Sequence, residues 1–163
     1  MRVFIGTDHA GLDFKEHLTK ALADAGYEPV DCGAFEYDAQ DDYPPFCFEV
    51  GERTVTEPGS LGVVIGGSGN GEQIAANKVP GVRAALVWNT ATAQLARQHN
   101  DANVVSIGAR QHTDEEATEL VLEFLRTPFS GDERHIRRIA LISEYEQERH
   151  RPSGGLPTRT EHP

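Results

Sequence analysis

The run Gly66-Gly67-Ser68-Gly69-Asn70-Gly71 places four glycines in six positions and is followed at once by a carboxylate, Glu72. Such a run lets the backbone turn sharply and aim several N–H groups at one point beside a helix N-terminus, which makes a hole for an anion. No Gly-Lys-Ser/Thr follows, and residues 6 to 11 lack GxGxxG spacing, so nucleotide binding is poorly supported. The plain alternative is a tight structural turn. Ser68 and Glu72 argue for chemistry: the hydroxyl can donate to and accept from the anion that the N–H groups stabilise. Glu72 falls in the first turn of the next helix, where the positive end of the dipole favours the basic carboxylate. Each has a plain reading as well, Ser68 as a turn residue and Glu72 as a surface carboxylate that satisfies the dipole. Taken together they have the makings of an enediolate site.

Other candidates are weaker one by one. Asp8-His9 ends an apolar run and can contact substrate oxygens, although an Asp there also caps turns. His99-Asn100 stands at a helix end, where a His commonly meets free carbonyls. Arg134 and Arg138 lie four apart and share a helix face, which suits a bidentate grip on phosphate but also a solvated basic stripe. No HExxH, paired CxxC or clustered Asp/His set with ligand spacing occurs, so a metal site is not expected. Cys32 and Cys47 read as buried thiols.

These residues need a scaffold, and the apolar pattern supplies one. Short β-rich runs at residues 2–6, 28–32, 61–65, 82–88 and 104–107 alternate with helical spacing after residue 11, after Pro44-Pro45, over 72–78, over 90–98 and after Thr113. Thr113-Asp114-Glu115-Glu116 is a capping box ahead of an apolar stripe through Phe124 and Leu125. A last helix is expected from Asp132 to about Glu148. Alternation of this kind implies an α/β fold: a parallel sheet wrapped by helices, with ligands bound beyond the C-terminal ends of its strands. The loops at 7–11, 66–72 and 108–112 should then share one edge.

The 163 residues, 38% hydrophobic and 25% charged, suit one ordinary domain, expected over 1–150. Residues 151–163, rich in Pro and Gly, are expected to be disordered. Lys+Arg number 15 against 26 Asp+Glu, a net charge of -11, which opposes broad contact with nucleic acid or anionic lipid. An anionic substrate therefore needs a local arginine cluster. Neither a membrane span nor a signal peptide is seen, so a soluble, cytoplasmic protein is expected.

Gly6-Thr7-Asp8-His9-Ala10-Gly11, Asp42-Tyr43-Pro44, Gly66 to Gly71, Ala75-Ala76-Asn77-Lys78 and His99-Asn100 together resemble ribose-5-phosphate isomerase type B, from residue 2 to about 148. The resemblance implies a Rossmann-like three-layer α/β/α sandwich with a five-stranded parallel sheet and an extra C-terminal helix. It also implies a homodimer, with a tetramer as the alternative, whose active site is shared between subunits. The activity implied is interconversion of ribose 5-phosphate and ribulose 5-phosphate, a step of the non-oxidative pentose phosphate pathway, with no metal or organic cofactor. Some members use a cysteine in the glycine loop as base; this chain has Ser68 there and is similar to the branch that uses glutamate, which gives that role to Glu72. By the same resemblance His99 of the partner subunit acts with Asp8 in ring opening. Ser68 relays protons between the sugar oxygens, and Gly67, Gly69, Asn70, Gly71 and Asn100 contact the substrate. The phosphate falls to His9, Arg134 and Arg138, with Arg110 from the second subunit. The rival readings are an isomerase of a six-carbon aldose phosphate, such as allose 6-phosphate or galactose 6-phosphate, and a non-catalytic phosphate-sensing module.

Overall fold

In the computed structural model, which describes residues 1–149, strands and helices alternate along the chain: β1 (Arg2–Thr7), α1 (Leu12–Asp24), β2 (Glu28–Asp31), α2 (Pro44–Thr56), β3 (Leu61–Gly66), α3 (Asn70–Ala76), β4 (Ala84–Leu86), α4 (Thr90–Asn100), β5 (Val104–Gly108), α5 (Asp114–Arg126) and α6 (Glu133–Arg149). Two compact units divide it, residues 1–130 and a second from Gly131 onward that contains α6. The expectation of a disordered tail over 151–163 lies outside the described residues.

The first unit is built on a five-stranded sheet in the order β2-β1-β3-β5-β4, every pair parallel. The side-chain period of two sorts its residues between two cores. Val3, Ile5, Val63, Ile65, Val105 and Ile107 point to the face that also receives Phe14 and Leu18 of α1, Ala93 and Ala96 of α4, and Val121 and Phe124 of α5. Phe4, Val64 and Val104 point the other way, toward Cys47 and Val50 of α2 and Ala75 and Ala76 of α3. Because β1, β3 and β5 are covered on both faces, they are apolar almost without interruption, which is why they were legible as runs rather than as alternations.

Local signals decide where elements start and stop. Pro44 opens α2, where a missing N–H costs nothing. Thr113 and Glu116 form the expected capping box: the Glu116 N–H donates to Thr113 Oγ1 at 3.2 Å and the Thr113 N–H to Glu116 Oε2 at 3.0 Å. A second box, Asn89 with Thr92, starts α4. The expected strand at 82–88 shrinks to Ala84–Leu86, since β4 is an edge strand with β5 as its neighbour. Asn77 stands in for a further strand there: its Oδ1 accepts from the Ala84 N–H at 2.9 Å, and its Nδ2 donates to the Ala84 carbonyl at 2.9 Å. The helix expected at 72–78 instead begins at Asn70 and ends at Ala76. In the second unit, α6 carries its arginines among exposed apolar residues, including Ile136 and Leu141. Among the described residues no helix is long and apolar enough to cross a membrane.

Candidate active site

The strand order places the site. From β1 the chain crosses to β2 on one side, and from β3 to the strands on the other, so β1 and β3 are neighbours whose loops part in opposite directions. Such a switch point leaves a crevice at the C-terminal edge of a parallel sheet. Asp8-His9 follows β1 and the glycine loop follows β3, so the two flank that crevice.

Glu72 is only 5% exposed, although it lies in the first turn of a helix. Its carboxyl group occupies the space where a side chain on Gly66 would begin, so a Cβ at 66 would fall inside it. Glycine is required there for close approach. Burial pushes the Glu72 carboxyl above its usual pKa, and the negative charge of Asp8 adds to this, while the main-chain N–H groups of Glu72 and Gly69 pull it back. The plain reading of Glu72 as a surface carboxylate is thus overturned, and the expected help of the helix dipole is outweighed by desolvation. Among the described residues no lysine or arginine forms a salt bridge with it.

The loop beside it is held from behind. Gly69 takes a left-handed conformation, φ 81°, and its carbonyl accepts from the buried Ser106 hydroxyl at 2.6 Å. The Ala109 and Arg110 N–H groups donate to the carbonyls of Gly66 and Gly67 at 2.8 and 3.1 Å. With these carbonyls engaged, the loop presents its opposite side, where Ser68 and Asn70 are exposed. Ser68 Oγ accepts from the Asn70 main-chain N–H at 3.3 Å and from Asn70 Nδ2 at 3.2 Å, which leaves its own hydrogen to donate elsewhere. The exposed Arg110, which the resemblance assigns to a second subunit, lies in this chain along Gly67.

Asp8 is buried and caps the single turn His9–Gly11, its Oδ1 accepting from the Ala10 N–H at 3.0 Å. The capping role foreseen as the plain alternative is therefore present, and it leaves the carboxylate in the electrostatic neighbourhood of Glu72. Two residues that sequence reasoning did not single out complete this side. Tyr43 lays its phenol ring against Gly71. Asp41 grips His9, with 2.6 Å between Asp41 Oδ1 and His9 Nδ1. Tyr43 was visible within Asp42-Tyr43-Pro44, but Asp41 carried no signal apart from its neighbour. Asp8, His9 and Asp41 offer donor atoms all within 4.8 Å of one another, a grouping no spacing along the chain could reveal. The short His9–Asp41 separation is that of a hydrogen bond.

Within the first unit, His99 and Asn100 lie away from this crevice. Helix α4 starts beyond the C-terminal end of β4 and runs back, so His99 and Asn100 at its end stand at the opposite edge of the sheet from Glu72. Arg83, just ahead of β4, donates from Nε to the Asn100 carbonyl at 2.9 Å, which ties that helix end to the N-terminal edge. One chain therefore does not bring His99 or Asn100 to its own glycine loop. Arg134 and Arg138 are exposed on α6 in the second unit. Cys32 and Cys47 are free and buried as expected; burial raises both thiols, Cys32 to about 11, so neither is a ready nucleophile.

Residues 3–142 match the family model described as Ribose/Galactose Isomerase. The ribose-5-phosphate isomerase B of Mycolicibacterium paratuberculosis is 55% identical over 152 residues, 93% of this chain and 96% of that protein. Among solved structures, ribose-5-phosphate isomerase B from Mycoplasma genitalium with bound ribulose-5-phosphate is 44% identical, with a TM-score of 0.86 over 90% of this chain and 97% of that one. The type B ribose 5-phosphate isomerase from Trypanosoma cruzi is 46% identical, with a TM-score of 0.86 over 90% and 99% of the two chains.

Proposed function

Since the chain belongs to the ribose/galactose isomerase family, we propose that it is an aldose–ketose isomerase interconverting ribose 5-phosphate and ribulose 5-phosphate, with Glu72 as its base. The observation that carries the assignment of the base is the Glu72 carboxyl group, buried against Gly66 beside the glycine loop. A carboxyl group raised above its usual pKa is better matched to a carbon acid than an exposed one, and its anion still takes a proton.

The reaction begins with opening of the furanose, assigned to Asp8 and to His99 from a second copy of the chain. Support for a second copy is the placement of the chain's own His99 at the far edge of the sheet. Glu72 then takes the C2 hydrogen of the open aldose as a proton, and the electron pair left behind forms the C1–C2 double bond of an enediolate. The N–H groups of Gly67 and Gly71 are assigned to the developing negative charge on oxygen, a type of contact worth roughly 10² to 10³ in rate per donor, while Gly69, whose N–H is drawn to the Glu72 carboxyl, and Asn70, whose N–H donates to Ser68 Oγ, shape the loop around the sugar. Ser68 passes its hydrogen to O1 while receiving one from O2, and Glu72 returns its proton at C1 to complete the ketose.

Phosphate capture is assigned to His9, Arg110, Arg134 and Arg138, with Asn100 of the second copy nearby in the sugar site. Local arginines answer the need for positive charge in a chain of net charge -11. One isomerase domain over residues 1–150 belongs to the same reading, supported by the unbroken family match over 3–142, as does a homodimer, with a tetramer as the alternative. A cytoplasmic location follows from the substrate, since charged sugar phosphates do not cross membranes unaided.

The test is turnover of ribose 5-phosphate in excess chelator by the wild type and by Glu72→Gln. The wild type is expected to keep its rate, and the variant to lose ~10³-fold or more in kcat, near the upper range of general base catalysis. In the wild type, kcat/KM should fall on the acid side through a pKa above that of an ordinary glutamate, because protonated Glu72 cannot accept the C2 proton. An unimpaired Glu72→Gln enzyme, or turnover abolished by chelator, would overturn the mechanism.

A further inference from the structure

The loop between β2 and α2 contributes a residue that the proposed mechanism does not use. Asp41 Oδ1 lies 2.6 Å from His9 Nδ1, and both Asp41 oxygens accept from the His9 main-chain N–H, at 3.2 and 3.1 Å. Its side chain is only 12% exposed, whereas the adjacent Asp42 is open to solvent. Tyr37 of the same loop meets the His9 ring edge-on, with centroids 6.0 Å apart and planes at 83°. One carboxylate thus holds both the ring and the backbone of a residue at the mouth of the crevice, and a second loop residue closes on the ring from another direction.

We propose that Asp41 is a positioning residue that fixes the tautomer and orientation of His9, so that Nε2 is the nitrogen presented to the phosphate of the substrate. An ionised carboxylate only accepts, so His9 Nδ1 carries the hydrogen whether the ring is neutral or protonated. Nε2 is then the ring nitrogen available to a ligand. The second grip, on the main-chain N–H, stops the ring from being satisfied by a shift of the whole turn. Without Asp41 the ring can rotate and exchange tautomers, and a contact to phosphate is made in only a fraction of molecules. The cost falls on binding rather than on proton transfer at carbon, because His9 touches the phosphate end. This inference rests on the reading of His9 as a substrate contact.

The experiment compares His9→Ala, Asp41→Ala, Asp41→Asn and the double variant His9→Ala/Asp41→Ala in steady-state turnover of ribose 5-phosphate, with ¹⁵N NMR of histidine-labelled protein. Asp41→Ala is expected to raise KM about tenfold with kcat within about threefold, the size of one charge-assisted hydrogen bond. Asp41→Asn, whose Oδ1 still accepts from Nδ1, should recover to within about threefold of the wild type in KM, and the double variant should be no worse than His9→Ala, because partners in one network are not additive. In the neutral ring of the wild type, NMR should show the hydrogen on Nδ1, and Asp41→Ala should shift it toward Nε2. A raised KM in His9→Ala with an unchanged KM in Asp41→Ala, additive losses in the double variant, or a wild-type ring protonated at Nε2 would each overturn the role of Asp41 and leave that of His9 standing. An unchanged KM in His9→Ala would instead remove His9 from the phosphate site, and this inference with it.

Discussion

At the N-terminal edge of the sheet, arginine and asparagine side chains turn inward onto the backbone, whereas at the C-terminal edge the glycine loop leaves the side chains of Ser68 and Asn70 exposed. Arg83 donates to the carbonyls of Asn100 and Asp101, Arg97 to those of Ala102 and Thr127, and Asn103 bridges the Arg83 N–H and the Gly81 carbonyl. Those contacts stitch the ends of β4, α4 and β5 together. At the other edge it is the loop backbone that is tied off, through Ser106 and the N–H groups of Ala109 and Arg110, while the Ser68 hydroxyl is exposed and the Glu72 carboxyl is packed against Gly66. The contrast teaches that density of polar residues does not mark a site in this fold. What distinguishes the candidate site is a buried carboxyl group without a salt-bridge partner among the described residues, beside a glycine loop whose own carbonyls are tied off.

The sharpest way to break this comparison is to ask whether the two edges meet across two copies. Glu72→Gln damages one edge and His99→Ala the other, and each variant alone is expected to be nearly inactive. Mixed by unfolding and refolding together, they should regain roughly a quarter of wild-type turnover, since half of the random dimers pair the two variants and each of those holds one intact site. No recovery on mixing would mean that the sites are not shared.

Gly66→Ala should cost ~10²-fold or more in kcat without altering any group that reacts, because the new methyl group displaces the Glu72 carboxyl, and misplacement by about 1 Å is enough for such a loss. Steady-state turnover checks it, and a wild-type kcat would show that the position of Glu72 is not critical. The smallest effect on activity is expected at the stitched edge. Asn103→Ala should lower unfolding stability by about 1 kcal/mol, as the part-buried Arg83 N–H loses its acceptor and the exposed Gly81 carbonyl a donor, while kcat changes less than about threefold. Urea denaturation beside turnover measures both, and a kcat loss larger than the stability loss would blur the distinction between the edges.

Several parts of the site were legible because their causes are local. The glycine loop was visible because a sharp turn beside a helix start selects glycine whatever the rest of the chain does, and Thr113 with Glu116 because a helix start needs acceptors for its own N–H groups. The shortened β4 was not legible: Val82 to Trp88 is apolar enough for a longer strand, and only its place at the sheet edge, with Asn77 closing its open side, limits it to Ala84–Leu86. Asp41 was passed over for a similar reason, since nothing in Asp41-Asp42 tells which carboxylate will face inward.

Alone, then, the amino-acid sequence determined the alternation of strands and helices, the loop chemistry and the family, since each depends on residue types within a few positions of one another or on motifs in fixed order. The tertiary structure alone decided that Glu72 is buried rather than displayed, that Asp41 holds His9, and that His99 stands at the edge opposite its own glycine loop. Each of these depends on which strands lie side by side, β1 next to β3 and β4 at the margin, and desolvation, a hydrogen bond across 32 positions and the direction in which a helix runs are all properties of that packing.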